Sequence, residues 1–243
     1  MLANFANEPK IDRVIVALDC PKDEALELGR KLAGKAKWVK VGMTLYYACG
    51  PTIVKEFKDL GFKVFVDLKL HDIPFQIEGA AYSAALSGAD MLTMHTLGGS
   101  DMLESGQRGA EKAAAELGCD TAATLGITVL TSMNDENLAQ IGIERAAAEQ
   151  VKLLAGVAKA SGISGIVCSP QEASEMRALL GPEAYIVTPG VRPAGSAAGD
   201  QSRIATPKQA FENGSSHIVV GRPITKAEDP VAAFDAIAEE LAD

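Results

Sequence analysis

Residues 64–72 read VFVDLKLHD, a short apolar run that passes directly into charged residues. Branched apolar side chains dominate the run, which is typical of a strand buried on both faces in a parallel sheet. Similar runs recur along the chain, separated by polar turns and by stretches with helical periodicity. The eight runs that we interpret as strands are 14–18, 38–41, 64–66, 91–94, 126–130, 165–168, 185–187 and 217–220.

Helix signals lie between these runs. Three sites place a capping residue directly before a proline, an arrangement that favours the first turn of a helix. Glycines that follow helical stripes favour helix ends. The predicted starts are Ser169-Pro170, Thr206-Pro207 and Asp229-Pro230, and the predicted ends are Gly61, Gly88 and Gly214.

Eight strands that alternate with helices over 243 residues predict an α/β fold, a (β/α)8 TIM barrel that forms a single domain over residues 1–243. Such barrels usually have about 250 residues. The alternative is a doubly wound open sheet, which usually carries a glycine-rich turn after its first strand. Here the first strand ends in Leu18-Asp19-Cys20-Pro21, without a GxGxxG motif. We therefore predict the barrel.

Composition excludes several classes of protein. The chain has 23 Lys and Arg against 32 Asp and Glu, a formal charge of −9, which disfavours general nucleic-acid binding. An apolar run of about 18 residues, the length that spans a membrane, does not occur. The four cysteines, Cys20, Cys49, Cys119 and Cys168, form no CxxC pair, so an ordinary zinc site is not predicted. Together with an N-terminal sequence unlike a secretion signal, they predict a cytoplasmic protein.

Charged residues follow the first three predicted strands, at the end of a barrel where functional residues collect. Because side chains alternate along a strand, Asp67, Lys69 and His71 would share the inward face of the third strand. Asp72 would lie in the loop just beyond, and Lys40 would come from the neighbouring strand. The sequence therefore predicts a charged array of Lys40, Asp67, Lys69 and Asp72.

The predicted array suits acid–base chemistry. Buried ions must be paired, and neighbouring carboxylates favour the charged form of Lys69. A protonated ammonium is a general acid, whereas a Schiff base requires a neutral amine. The alternative is an ion-pair cluster that closes the barrel without chemistry. For His71 alone, the alternative to a functional role is packing or hydrogen bonding.

The ends of the seventh and eighth predicted strands form a second candidate site. In barrels of this kind, phosphate is often held by the loops after these strands. Gly190 and Gly221 would let backbone N–H groups approach an anion, and Arg222 can contact phosphate through two N–H groups. Residues 192–203 are mostly small, and we predict a loop that closes over the phosphate. An exposed flexible loop is the alternative.

Residues 65–74, FVDLKLHDIP, resemble the signature of the orotidine 5'-phosphate decarboxylase family. The resemblance extends along the chain in the family's order and spacing, and it is greatest to the bacterial branch. One difference is Val191, where the family pattern has Ile. The other matching segments are 14–19, 38–42, 129–133, 188–193, 199–203 and 219–224.

The resemblance implies a homodimeric enzyme without cofactor or metal, which converts orotidine 5'-monophosphate to uridine 5'-monophosphate and CO2. It implies that Lys69 is the proton donor, that Asp67 lies against the substrate carboxylate and that Asp72 reaches the substrate of the partner subunit. Lys40 completes the catalytic array. The residues implied to contact substrate are Asp19, Lys40, Asp72, Gln76, Thr131, Ser132, Pro189, Arg192, Gln201, Gly221 and Arg222.

A second hypothesis is another phosphosugar enzyme of the same barrel type, such as a keto-acid sugar-phosphate decarboxylase or an aldol-type synthase. Such an enzyme would be expected to need a divalent metal, for which Asp19, Asp67 and Asp72 could supply oxygen ligands. Lys40 and Lys69 argue against it, because each puts positive charge where the cation would bind.

A third hypothesis is a sensor that binds a phosphate ligand without catalysis. It would need Arg222 and Gln201, but it could function without the complete charged array. Since all four residues of the array are present, the sequence favours an enzyme.

Overall fold

The computed structural model describes residues 5–193 and 205–242. Eight parallel strands form a closed barrel in sequence order, and the pairing of the last strand with the first closes it. The predicted (β/α)8 barrel is therefore confirmed. The strands are β1 Val14–Ala17, β2 Trp38–Gly42, β3 Lys63–Leu70, β4 Met91–His95, β5 Ala123–Ile127, β6 Gly165–Val167, β7 Tyr185–Thr188 and β8 His217–Val220.

Helices follow the strands and cover the outside of the barrel. Within residues 5–193 and 205–242, no helix is both long and apolar enough to cross a membrane. Short 3-10 helices are Phe5–Asn7, Lys10–Arg13 and Thr96–Gly98. The α-helices are α1 Lys22–Leu32, α2 Met43–Cys49, α3 Thr52–Asp59, α4 Pro74–Leu86, α5 Ser100–Leu117, α6 Asp135–Gln140, α7 Ala147–Ala160, α8 Ala173–Leu180, α9 Pro207–Glu212, α10 Arg222–Thr225 and α11 Pro230–Ala242.

Two of the three predicted helix starts are confirmed. The Thr206 side chain accepts a hydrogen bond from the Gln209 N–H at 3.2 Å, and the Gln209 side chain accepts one from the Thr206 N–H, a complete capping box. Asp229 Oδ1 accepts from the Val231 N–H at 2.9 Å. These side chains satisfy N–H groups that have no partner inside their helices.

The predicted start at Ser169-Pro170 is wrong, because α8 begins only at Ala173. The Glu172 N–H donates to the Ser169 carbonyl at 3.1 Å, and the Glu172 carboxylate accepts from the Ser169 N–H at 2.8 Å. These two bonds close a separate turn over residues 169–172. The residues of this predicted helix start therefore form a turn that precedes the helix.

Side chains of each strand alternate between two apolar layers. In β1, Val14 and Val16 pack outward against the helices, whereas Ile15 and Ala17 fill the barrel. This alternation is the period of two that a strand imposes on its side chains. The filled interior positions the charged residues at one end of the barrel. The residues of the inner layer are Phe5, Ile15, Ala17, Trp38, Phe65, Met91, Ala123, Leu125, Tyr185, Val187 and Val219.

The fifth strand lies earlier than its apolar run predicts. We predicted residues 126–130, but β5 is Ala123–Ile127, because it pairs with β4 from Met91↔Ala123 to His95↔Ile127. The apolar run continues beyond the strand into the following loop. There, Thr128 Oγ1 donates a hydrogen bond to the Val167 carbonyl at 2.9 Å. Residues 131 and 132 therefore lie in the loop after β5 and not at its end.

The amino-terminal end of the barrel is closed by an aromatic cluster. The imidazole of His217 stacks on Tyr185 at 5.4 Å between ring centroids, and Phe5 and Trp38 pack edge-on against it. Burial, together with the positive charge of Arg13, lowers the pKa of His217 to about 3. The barrel therefore has an apolar base that holds a neutral histidine, and its polar groups collect at the opposite end.

Candidate active site

The charged end of β3 contains an irregularity in the sheet. Val66 pairs with Leu92 and Leu70 pairs with Met94, so β3 advances four residues while β4 advances two. Lys69 lies inside this bulge with φ of 51°, the only positive φ among the described non-glycine residues. A left-handed conformation costs a side-chain-bearing residue about 1–2 kcal/mol. The surrounding contacts must therefore hold Lys69 in place.

Lys69 and Lys40 both pair with one buried carboxylate. Lys69 Nζ lies 2.9 Å from both carboxylate oxygens of Asp67. Lys40 Nζ lies 3.5 Å from Asp67 Oδ2 and 2.9 Å from Asp19 Oδ1. The structure thus brings Asp19, Lys40, Asp67 and Lys69 into one chain of alternating charges, as the sequence predicted for three of them.

Electrostatics keep Asp67 and Lys40 ionised. Burial opposes the charge of Asp67, but Lys40 and Lys69 outweigh it and hold the pKa of this carboxyl below its usual value. Burial likewise opposes the charge of Lys40, while Asp67 and Asp19 raise its pKa above the ordinary value. An ionised carboxylate at this position fixes an ammonium group beside it.

Two residues that sequence reasoning missed support the array. Thr93 of β4 is fully buried, and its hydroxyl bonds to both Asp67 and the Lys69 backbone. Gly42 ends β2, and a Cβ atom there would lie 2.8 Å from Asp19 Oδ1 and 2.9 Å from Lys40 Nζ. The inward position of Thr93 follows from strand periodicity, but the close approach at Gly42 has no signal in the sequence.

One cavity of about 520 Å³ joins the charged array to the ends of β7 and β8. Its volume lies in the usual range for small-molecule sites. Charged residues line two of its sides, and apolar side chains from the barrel interior form its floor. The polar lining includes Asp19, Lys40, Asp67, Lys69, Thr131, Arg192, Arg222 and Lys226; the floor includes Phe65, Ile127, Val129, Val167, Val187 and Val219.

Two guanidinium groups converge at the far side of the cavity. Burial, together with the positive charge of Arg222, lowers the pKa of Arg192. The predicted phosphate-site residues Gly190 and Gly221 also line this cavity, as does Pro189, which was predicted to contact substrate. Like charges held close together attract an anion, and arginine matches the geometry of phosphate oxygens. This side of the cavity can therefore hold a phosphate group.

A family comparison agrees with this geometry. The model of the orotidine 5'-phosphate decarboxylase / HUMPS family matches residues 12–237. The chain belongs to this family. It is 48% identical to the orotidine 5'-phosphate decarboxylase of Cutibacterium acnes, over 95% of this chain and 96% of that one. It is 46% identical to that of Moorella thermoacetica, over 95% of this chain and 92% of the relative.

A solved structure of a family member has the same fold. The crystal structure of orotidine 5'-phosphate decarboxylase from Lactobacillus acidophilus superposes with a TM-score of 0.84 at 40% sequence identity. The alignment covers 96% of this chain and 100% of that one. The resemblance inferred from the residues of the signature is therefore confirmed over nearly the whole chain.

Some of the residues predicted for the family site do not line the cavity. Asp72 is exposed, and its carboxylate accepts a hydrogen bond from the Ile73 N–H at 2.7 Å. Within the described part of the chain, no ion pair joins Asp72 to Lys69. Gln76 is also exposed, in the first turn of α4, and Ser132 lies in the β5 loop beyond Thr131. Their contacts with substrate stay predictions.

The expected inward orientation of His71 is wrong. His71 is exposed after the end of β3, and its ring lies 5.4 Å from that of His95. The strand ends at Leu70, so the period of two no longer applies to the next residue. Gln201 and the predicted closing loop, apart from residues 192 and 193, lie outside the described residues.

Proposed function

We propose that this chain decarboxylates orotidine 5'-phosphate to uridine 5'-phosphate and CO2, a step of pyrimidine biosynthesis. One observation carries the proposal within the family: the Lys69 ammonium, 2.9 Å from both oxygens of Asp67, lines the same cavity as Arg222. A substrate with a phosphate at one end and a reacting ring at the other would extend between these two groups.

Lys69 acts as the proton donor. When the bond between the ring carbon and the carboxylate breaks, CO2 leaves and an electron pair stays on that carbon. The Lys69 ammonium gives its proton to this carbon, and solvent returns a proton to the neutral amine. A positive charge fixed where negative charge develops stabilises the transition state without rearrangement.

Asp67 holds the ammonium and faces the carboxylate that the substrate loses. Its two oxygens fix Lys69, and its ionised state is maintained by Lys40 on the other side. Repulsion between Asp67 and the substrate carboxylate ends when CO2 leaves, so this interaction favours the transition state over bound substrate. Lys40 and Asp19 bind the ribose hydroxyls.

The remaining contacts anchor the substrate. Arg192 and Arg222, whose positive charges converge, bind the phosphate together with Gly221 and Gln201. Binding energy gained at the phosphate orients the ring against Lys69. Thr131 and Ser132 bind the pyrimidine from the loop after β5, and Pro189 and Gln76 complete the contacts.

A homodimer would complete the site with Asp72 of the partner subunit. Large apolar side chains are exposed on the segments that follow β2, β3 and β4, at the rim beside Asp72. Contiguous exposed apolar surface is typical of a protein interface. A second copy packed on this rim would bring Asp72 toward the neighbouring cavity. The exposed fractions are 45% for Met43, 73% for Tyr47, 63% for Ile73, 82% for Phe75 and 46% for Leu97.

The second hypothesis, a metal-dependent phosphosugar enzyme, fits the array less well. Lys40 and Lys69 occupy the carboxylate oxygens of Asp19 and Asp67 that a cation would need. A cation there would be repelled by two ammonium groups. Activity on orotidine 5'-phosphate that survives treatment with a strong chelator separates the two hypotheses.

The decisive experiment follows the loss of orotidylate absorbance with purified, chelator-treated protein. We expect turnover by the wild type and almost none by Lys69→Ala, with cooperative unfolding retained. Near-normal turnover by Lys69→Ala would contradict the proton-donor role. A wild-type protein that binds uridine 5'-phosphate but forms no product would instead support the sensor hypothesis.

Subunit exchange tests the shared site. Inactive Lys69→Ala and Asp72→Ala homodimers are mixed, so that each mixed dimer carries one site with both native residues. We expect about a quarter of wild-type activity, since half of the dimers are mixed and each has one complete site. Absence of recovery after confirmed exchange would place Asp72 in the site of its own subunit.

The single domain over residues 1–243 and the cytoplasmic location stay predictions.

A further inference from the structure

We propose that Thr93 is a positioning residue for the reaction, whose hydroxyl holds both Asp67 and the backbone of Lys69 in their working geometry. The inference rests on the proposed roles of Lys69 and Asp67. Thr93 itself is fully buried and is absent from the lining of the cavity, so it acts through these two residues and not on substrate.

The direction of both hydrogen bonds is fixed by chemistry. The Lys69 N–H can only donate, so Thr93 Oγ1 accepts from it, at 2.9 Å. The ionised Asp67 carboxylate can only accept, so the same hydroxyl donates to Asp67 Oδ1, at 3.0 Å. One hydroxyl therefore joins the backbone of the proposed proton donor to the side chain that holds its ammonium.

The bulge in β3 explains why a side chain is needed at this place. Between the pairs Val66↔Leu92 and Leu70↔Met94, β3 has two more residues than β4. The N–H of Lys69 lies in this interval, where the regular ladder of backbone acceptors is interrupted. Thr93, the residue between Leu92 and Met94, supplies the acceptor with its side chain. Without it, a partly buried N–H donor on the strained residue would lose its partner.

The bond to Asp67 has a second consequence. The Lys69 ammonium contacts both oxygens of Asp67, and Lys40 lies 3.5 Å from Oδ2. The Thr93 hydroxyl approaches Oδ1 from within the sheet, so it limits rotation of the carboxylate about its side-chain bond. A carboxylate that turns would carry the ammonium of Lys69 away from the reacting carbon. Small displacements of this kind reduce turnover strongly.

Three substitutions test the proposal. Thr93→Val keeps the shape and removes the hydroxyl, Thr93→Ser keeps the hydroxyl and removes the methyl group, and Thr93→Ala removes both. We expect kcat of Thr93→Val and Thr93→Ala to fall roughly 10- to 100-fold, the equivalent of one hydrogen bond to a charged group. KM should change much less, because the phosphate anchor is untouched. Thr93→Ser should restore kcat to within about threefold of wild type.

Thr124→Val is the matched control for loss of a buried threonine hydroxyl from a neighbouring strand. Thr124 is fully buried in β5, and its hydroxyl bonds to Gln107 and Ser164 away from the cavity. We expect this variant to lose stability but to keep the wild-type kcat. A decrease in kcat equal to that of Thr93→Val would make the Thr93 effect a general consequence of weakened packing.

Each other outcome also decides the question. Wild-type kcat in Thr93→Val, or equal losses in Thr93→Ser and Thr93→Val, would overturn the proposal. If Thr93→Val does not fold, the comparison of Thr93→Ala with Thr93→Ser gives the same answer. Full activity of Lys69→Ala would instead remove the proposed role of Lys69 on which the inference rests, and an inactive wild type would remove the proposed function, so these failures are distinguishable from failure of the inference.

Discussion

The neutral histidine at the base of the barrel predicts a defined sensitivity to acid. Burial, with the positive charges of Arg13 and Lys63, lowers the pKa of His217 from 6.5 to about 3. Below pH 6.5 the unfolded chain binds a proton on this imidazole, whereas the folded chain does so only near pH 3. His217 therefore leaves the free energy of unfolding unchanged above pH 6.5 and lowers it as the pH falls from 6.5 toward 3.

The size of the effect follows from the width of this interval. One pH unit within it changes the free energy of unfolding by about 1.4 kcal/mol. Acidification from about pH 7.5 to about pH 5 includes roughly 1.5 pH units below pH 6.5, so His217 alone should lower the free energy of unfolding by about 2 kcal/mol. This is a large share of the stability of an ordinary domain, which is about 5–15 kcal/mol.

Urea unfolding of the wild type and of His217→Phe measures the contribution. Phenylalanine keeps a ring against Tyr185 and Trp38 and does not titrate. Ser216 loses its contact with the imidazole but keeps bonds to the Ile186 N–H and carbonyl, at 2.9 and 3.1 Å. Between about pH 7.5 and about pH 5, the free energy of unfolding should fall by about 2 kcal/mol more for the wild type than for the variant. Equal losses would refute the reasoning, as would an NMR titration showing a protonated His217 in the folded protein at pH 5.

Two further predictions concern the mouth of the barrel. Gly42→Ala would place a methyl group 2.8 Å from Asp19 Oδ1 and 2.9 Å from Lys40 Nζ, so these two side chains must move apart. Because both are proposed to bind the ribose, KM for orotidine 5'-phosphate should rise roughly tenfold. Gly79→Ala, in open space on α4, is the control and should leave steady-state kinetics unchanged. Arg222→Ala should raise KM for orotidine 5'-phosphate roughly 10- to 100-fold and leave turnover of the phosphate-free nucleoside unaltered; equal losses for both substrates would remove Arg222 from the phosphate site.

The fold could be predicted because its signals are local. Each β-branched run, followed by a helical stripe, predicts a strand and a helix, and eight such units close into a barrel. The boundaries of β5 could not be predicted, because the apolar run through Val129 and Leu130 continues beyond the strand. Pairing with β4 sets the register there, and pairing depends on residues distant in sequence.

The charged array was predictable for a similar reason. Asp67 and Lys69 are two residues apart on one strand, so they share a face, and Lys40 lies on the adjacent strand. The bulge adds an even number of residues to β3, so it leaves this alternation intact. The left-handed conformation of Lys69 and the hydrogen bonds of Thr93 were not predictable, since both follow from how β3 meets β4. His71 shows the limit of the periodicity, which ends where the strand ends.

The aromatic base and the charged mouth lie at opposite ends of short strands. From His217 to Gly221 the chain advances about 13 Å, four residues of extended backbone, which exceeds the distance over which substitutions usually influence each other. Substitutions at Tyr185 and His217 can then change the stability toward acid and heat while the turnover number stays constant. Replacement of His217 would therefore need no compensating change among the residues that meet the nucleotide.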